Sequence, residues 1–138
     1  MKERSAMDLF ELCTDSHSMQ VIVATLQTIR AGVIRDETTE LHQAIERSLN
    51  AAGIAYDREY LLGPRSRIDF FLSGGIGIEA KRGKPNRKSV IRQLERYSAY
   101  MKITGLILVS ETSIDLPPVL FGKPLVVVNL QKLWGLAL

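Results

Sequence analysis

Apolar residues recur along this chain first at helical spacing, then at strand spacing, and finally in unbroken runs. Leu41, Ala44, Ile45, Leu49 and Ala52 form one stripe of a helix that begins near Asp36, a good N-cap, and closes at Gly53, the residue type a helix C-terminus favours. Ahead of it, about Ser5 to Ala31 reads as one or two helices, with Leu9, Leu12, Val23, Leu26 and Ile29 among the apolar positions and a break at Gly32. After Gly53 the period shortens. The pattern predicts a strand near Ile54 to Leu62, a turn at Gly63-Pro64, and a hairpin whose arms are Arg67 to Leu72 and Ile76 to Lys81 around Ser73-Gly74-Gly75. Pro85-Asn86 then opens a helix to about Ile103. The runs Gly105 to Val109 and Leu125 to Val128 read as strands covered on both faces, and Pro117-Pro118 fixes the loop between them.

The core order is therefore helix, three strands, helix, strand, which gives an α/β sandwich with a mixed sheet. One domain is expected over residues 1–138: a helical extension at 1–33, the core at 36–110, and a further strand and tail at 111–138. A hydrophobic content of 46% is enough for a real core at this length. Met19 to Ile34 is broken by Gln20, Gln27 and Arg30, too short and polar to span a bilayer, and the N-terminus does not resemble a signal peptide. A single cysteine, Cys13, excludes an internal disulfide framework and a cysteine-rich zinc site and fits a reducing compartment, so a cytoplasmic protein is expected.

Charge changes the picture locally. The net charge is only +3, but Lys81, Arg82, Lys84, Arg87, Lys88, Arg92 and Arg96 crowd one short region against Glu95 alone. Such a cluster is either a solvated face or a footprint for a polyanion.

The same region begins with the chain's most distinctive spacing, Asp69, nine residues, then Glu79-Ala80-Lys81. On a strand, Glu79 and Lys81 project to one face while Ile78 and Ala80 project to the other. Singly, a Glu and a Lys two apart are a solvated ion pair and an Asp near a hairpin is turn chemistry. Set together in otherwise apolar mid-chain strands, such charges need a partner or a metal, and hard oxygen ligands suit Mg²⁺ or Mn²⁺. Gly74, Gly75 and Gly77 either make a flexible turn or leave room beside this strand for a nucleic-acid backbone.

Element order and motif together resemble the PD-(D/E)xK nuclease superfamily, the restriction-endonuclease-like fold, and within it the Holliday junction resolvase and RecB-type nuclease branches. The resemblance covers about residues 36–110 as an αβββαβ core, with Ile68 where the family's proline stands. It implies that Asp69 and Glu79 bind Mg²⁺ (or Mn²⁺) and that Lys81 assists the attacking water. These branches often add a Glu on the first core helix. Glu37 lies one turn above Leu41 on the inward stripe and Glu40 points to its side, so Glu37 is the expected catalytic and metal-binding residue. Its ordinary role would be to favour the helix dipole. Gln93-Leu94-Glu95-Arg96-Tyr97 matches the Gln-x-x-x-Tyr signature of RecB-type enzymes, with Gln93 positioning water or phosphate and Tyr97 packing or stacking.

The expected function is then a Mg-dependent endo- or exodeoxyribonuclease hydrolysing phosphodiester bonds, acting on branched or structured DNA in recombination, repair or phage-type processing. Arg82, Lys84, Arg87, Lys88, Arg92 and Tyr97 are its expected DNA contacts. The alternatives are a non-cleaving DNA-binding module of nuclease fold that serves as a subunit of a larger assembly, and a structural or interaction protein with an incidental ion pair. His17 and His42 have no ligand spacing and read as surface or helix-face residues. Trp134 is expected to pack on the core or a partner subunit, and a homodimer interface is sought at the N-terminal helices or the C-terminal tail. No membrane partner is expected.

Overall fold

The computed structural model describes residues 17–29 and 38–133. The expectations for Glu37, Cys13 and Trp134, and much of the helical extension, fall outside these residues.

Ser18 caps the first described helix, α1 (Met19–Leu26), by accepting the Val21 N–H at 3.2 Å, and Ile22 and Leu26 are its buried side. In α2 (Thr38–Ala51) the predicted stripe positions Leu41, Ala44, Ile45 and Leu49 are buried, whereas Ala52, also expected in the stripe, lies past the helix end and is exposed. The helix closes as foreseen at Gly53, whose φ of +72° allows two closing bonds, Gly53 N–H to Asn50 C=O and Ile54 N–H to Leu49 C=O. Buried Ile54 then leads into the sheet.

The sheet has six strands in the order β1-β2-β3-β4-β6-β5: β1 (Tyr56–Gly63), β2 (Ser66–Leu72), β3 (Ile76–Lys81), β4 (Gly105–Ser110), β5 (Val119–Leu120) and β6 (Lys123–Asn129). The meander β1-β2-β3 and the β5-β6 pair are antiparallel, while β3-β4 and β4-β6 are parallel, so the sheet is mixed as expected. The helix α3 (Arg87–Ser98), capped by Asn86 Oδ1 on the Ser89 N–H, connects β3 to β4, and a short helix α4 (Leu130–Leu133) follows β6.

Two apolar cores flank the sheet. One packs α1 and α2 against Phe70, Leu72, Ile78, Ala80, Ile107 and Val109; the other packs Val90, Leu94 and Tyr97 of α3 against Ile68, Leu106, Leu108 and Leu125. Every residue of β4 is buried, because both its faces are covered. The result is a three-layer α/β architecture. Among the described residues no helix is long and apolar enough to cross a membrane.

Two boundaries differ from the sequence reading. The helix expected to reach Ile103 stops at Ser98, where Lys123 Nζ donates to the Ser98 and Tyr100 carbonyls at 2.6 and 2.8 Å and so terminates it, freeing Ile103 to enter the core. The last strand is preceded by a short edge strand and a two-residue turn, Phe121-Gly122, with φ of +50° and +76°. Positive φ at both positions suits a tight hairpin, but Phe is an unusual residue there and gave no turn signal.

Candidate active site

The candidate site forms where the β2–β3 ladder comes apart. Backbone pairing between these strands covers Phe70↔Ile78 and Phe71↔Gly77. In a regular strand residues 68, 70 and 72 share a face, yet Ile68 lies in the α3 core and Phe70 and Leu72 in the α1/α2 core, so β2 changes face at Asp69. Across the β1 ladder, Glu59 has φ of +48° between Arg58, paired with Phe70, and Tyr60, paired with Ile68. The distortion thus sits at the same level on both strands.

Side chains replace the lost ladder bonds. Glu79 Oε1 accepts the Asp69 N–H at 3.2 Å, and Asp69 Oδ2 accepts the Ala80 N–H at 2.8 Å. Lys81 Nζ lies 3.5 Å from Glu79 Oε2. Asp69, Glu79 and Lys81, singled out from spacing, are therefore brought together. Glu79 is only 4% exposed. Its burial first, and then the Asp69 charge, push its carboxyl up to about 7 despite the opposing pull of Lys81.

His42 is the residue that sequence reasoning missed. Its buried Nε2 faces Asp69 Oδ2 at 3.3 Å, an ion-pair distance without hydrogen-bond alignment, and Arg58 Nη2 lies 3.3 Å from its Nδ1. The ring thus has a guanidinium donor on its Nδ1 side and the Asp69 carboxylate on its Nε2 side. Arg58 is itself fixed by Glu46 at 3.1 Å and lies over the Phe70 ring at 4.7 Å. The available signal was His42 at the edge of the α2 stripe, next to Leu41; spacing along the chain could not reveal a partner on β2. Glu40 is half-buried in the first turn of α2.

Gln93 and Tyr97 face each other on α3: Gln93 Nε2 donates to Tyr97 Oη at 3.0 Å, and Tyr97 Oη donates to the Arg67 carbonyl at 2.8 Å. Tyr97, expected to pack or stack, is 1% exposed: it packs in the α3 core and anchors β2 two residues ahead of Asp69. Burial and then the Glu79 and Asp69 charges raise its pKa, keeping the phenol protonated as a donor.

The basic stretch divides as well. Arg82 pairs with Glu111 at 2.7 Å, with both side chains largely covered, and Glu111 also accepts the Gly83 N–H. Arg82, expected as a phosphate contact, thus forms a clasp between the end of β3 and the segment after β4. Arg87 donates to the Asp115 carbonyl at 2.6 Å but stays exposed, as do Lys84, Lys88 and Arg92. Gly77 is buried, and a Cβ there would lie 2.3 Å from Ile68 Cδ1. Its small size admits Ile68 after the change of face and not a nucleic-acid backbone.

Asp69 and Glu79 are the residues that could hold a cation. Among the described residues no group of three or more His, Cys, Asp or Glu side chains forms a metal cage. A hydrated Mg²⁺ takes one or two carboxylates and fills its remaining positions from water and substrate, and Asp69 and Glu79 each keep oxygen lone pairs that the backbone amides do not use. Comparison with known proteins finds no matching family model, no matching curated protein and no matching solved structure.

Proposed function

We propose that the protein is a divalent-cation-dependent deoxyribonuclease of the PD-(D/E)xK kind, with Asp69, Glu79 and Lys81 at its centre. The observation that carries the reading is the opened β2–β3 junction, which gathers these three side chains beside a helix whose exposed face bears Lys88, Arg92 and Arg96. A bound Mg²⁺ or Mn²⁺ would offset charge on the scissile phosphate and make water a better nucleophile. Asp69 and Glu79 would hold that ion with oxygens not used by the backbone amides. Lys81, partly exposed and beside Glu79, would orient the attacking water or neutralise a phosphoryl oxygen. His42 would keep Asp69 in position, and Gln93, tied to Tyr97, would offer its remaining amide atoms to water or phosphate.

One observation favours a non-cleaving nucleic-acid-binding module: both carboxylates already serve the fold by accepting backbone N–H groups. A panel of labelled single-stranded, duplex, flap and four-way-junction DNAs, incubated with Mg²⁺, with Mn²⁺ and with chelator, separates the two. Cation-dependent cleavage lost in Asp69→Asn is expected. Binding without cleavage of any substrate would support the module instead.

A further inference from the structure

A cleft of about 360 Å³ opens beside Lys81, between the end of β3 and the flank of α3, from Asn86 at its N-cap to Arg96 in its last turn. Its cations are Lys81 and Arg96, and no carboxylate lines it. Three uncharged polar side chains, Asn86, Ser89 and Gln93, face it, and Pro85 supplies an apolar wall. The polar groups retain capacity: Asn86 uses only Oδ1 to cap α3, leaving its NH₂, and Gln93 uses one N–H on Tyr97, leaving its carbonyl oxygen. The volume lies near the lower end of the roughly 300–1,000 Å³ typical of small-molecule sites. That is room for one nucleotide and not for a segment of stacked duplex.

We propose that this cleft binds a single unstacked nucleotide of the substrate strand, with its phosphate between Lys81 and Arg96 and its base against Pro85 within reach of the Asn86 and Gln93 amides. The assignment rests on the nuclease reading for its biological meaning and deepens it, because a strand that places one nucleotide here must be single-stranded at that point. Cations supply the phosphate contact, paired donors and acceptors on the amides supply the base contact, and an apolar wall replaces the lost stacking neighbour. On α3, Arg92 and Lys88 continue from Arg96 at intervals of four, about 6 Å of axis each, and give the flanking phosphates a path along the helix.

The test needs no cleavage. Chelator-treated full-length protein is titrated with a deoxynucleoside 5′-monophosphate, with the matching nucleoside and with inorganic phosphate, by calorimetry and by amide chemical-shift mapping. The monophosphate is expected to bind at least about tenfold more tightly than either fragment and to shift Ser89 and Gln93. Arg96→Gln should weaken it about tenfold, and Ser89→Leu, an exposed first-turn change that fills the cleft, should abolish it with the melting temperature nearly unchanged. Equal affinity for inorganic phosphate would reduce the cleft to an anion site and overturn the proposal. So would the absence of binding, or binding indifferent to both variants. In a separate arm, single-strand cleavage that survives Ser89→Leu would remove the nucleotide site and leave the nuclease standing. Nucleotide binding in a protein that cuts no DNA would uphold the site while the nuclease reading falls.

Discussion

Glu79 and Asp69 are joined twice across the β2–β3 junction, Glu79 Oε1 accepting the Asp69 N–H and Asp69 Oδ2 accepting the Ala80 N–H next to Glu79. The two carboxylates take up backbone N–H groups just where the β2–β3 ladder stops. Backbone donors and the Lys81 ammonium offset part of the cost of charging Glu79; the remainder, from its burial first and the Asp69 charge second, appears as its raised proton affinity.

That remainder sets a pH dependence. Glu79 has a folded value of about 7 against an ordinary 4.5, so the fold favours its neutral form. The associated stability is fully present below about pH 4.5 and is lost as pH rises through about 7. In chelator, the wild-type melting temperature should fall between about pH 5 and about pH 8 relative to Glu79→Gln, which keeps an acceptor oxygen but has no proton to lose. Mn²⁺ should recover most of the difference at the upper end. Parallel pH profiles for the two proteins would show that Glu79 does not carry this charge.

The clasp between Arg82 and Glu111 separates two kinds of cation. Lys88→Ala and Arg92→Ala should each lower the slope of log DNA affinity against log salt by about one unit with little change in stability. Arg82→Ala should leave the slope almost intact but cost about 1–2 kcal/mol, because Glu111 loses its counter-ion in a largely covered position. Filter binding across a salt series, beside urea unfolding, measures both. An equal slope change for Arg82→Ala would return it to the phosphate contacts.

Tyr97 should behave as an anchor. Tyr97→Phe keeps the packing but strands the Arg67 carbonyl and frees Gln93, so unfolding should become easier by about 1–2 kcal/mol. DNA affinity should be unchanged in the same preparation. A large loss of affinity at unchanged stability would restore the stacking role.

Local signals made much of this legible. The α2 stripe and its Gly53 closure, the hairpin, and the doubly covered β4 follow from periodicity and turn chemistry, which act over a few residues. Asp69, Glu79 and Lys81 were legible because they lie on the two arms of one hairpin. His42 and Arg58 were not: their meeting with Asp69 depends on how α2 settles on the sheet, and the charge at Arg58 is fixed by Glu46, twelve residues away. The pairing of Arg82 was hidden for the same reason, since its partner Glu111 lies beyond an entire helix and strand. Tyr97 and Gly77 carried types that suit nucleic acid as well as a core, and only the change of face at Asp69, which sends Ile68 to Gly77 and the Arg67 carbonyl to Tyr97, decides between them.

Lys81 distinguishes chemistry from binding. Its ammonium is 3.5 Å from Glu79 Oε2 and its side chain is 27% exposed, placing the charge at the mouth of the junction where a phosphate would arrive. One lost cation among several should change DNA affinity by only about tenfold or less. Loss of a group that orients water or neutralises developing charge should lower cleavage by roughly a hundredfold or more. Lys81→Ala should therefore bind DNA nearly as well as wild type in Ca²⁺ while its single-turnover rate in Mg²⁺ collapses. Lys81→Arg, which keeps the charge but spreads it over a planar fork, should restore binding fully and cleavage poorly. If Lys81→Ala cuts as fast as wild type, the ammonium serves only to balance Glu79, and the catalytic assignment of this junction fails with it.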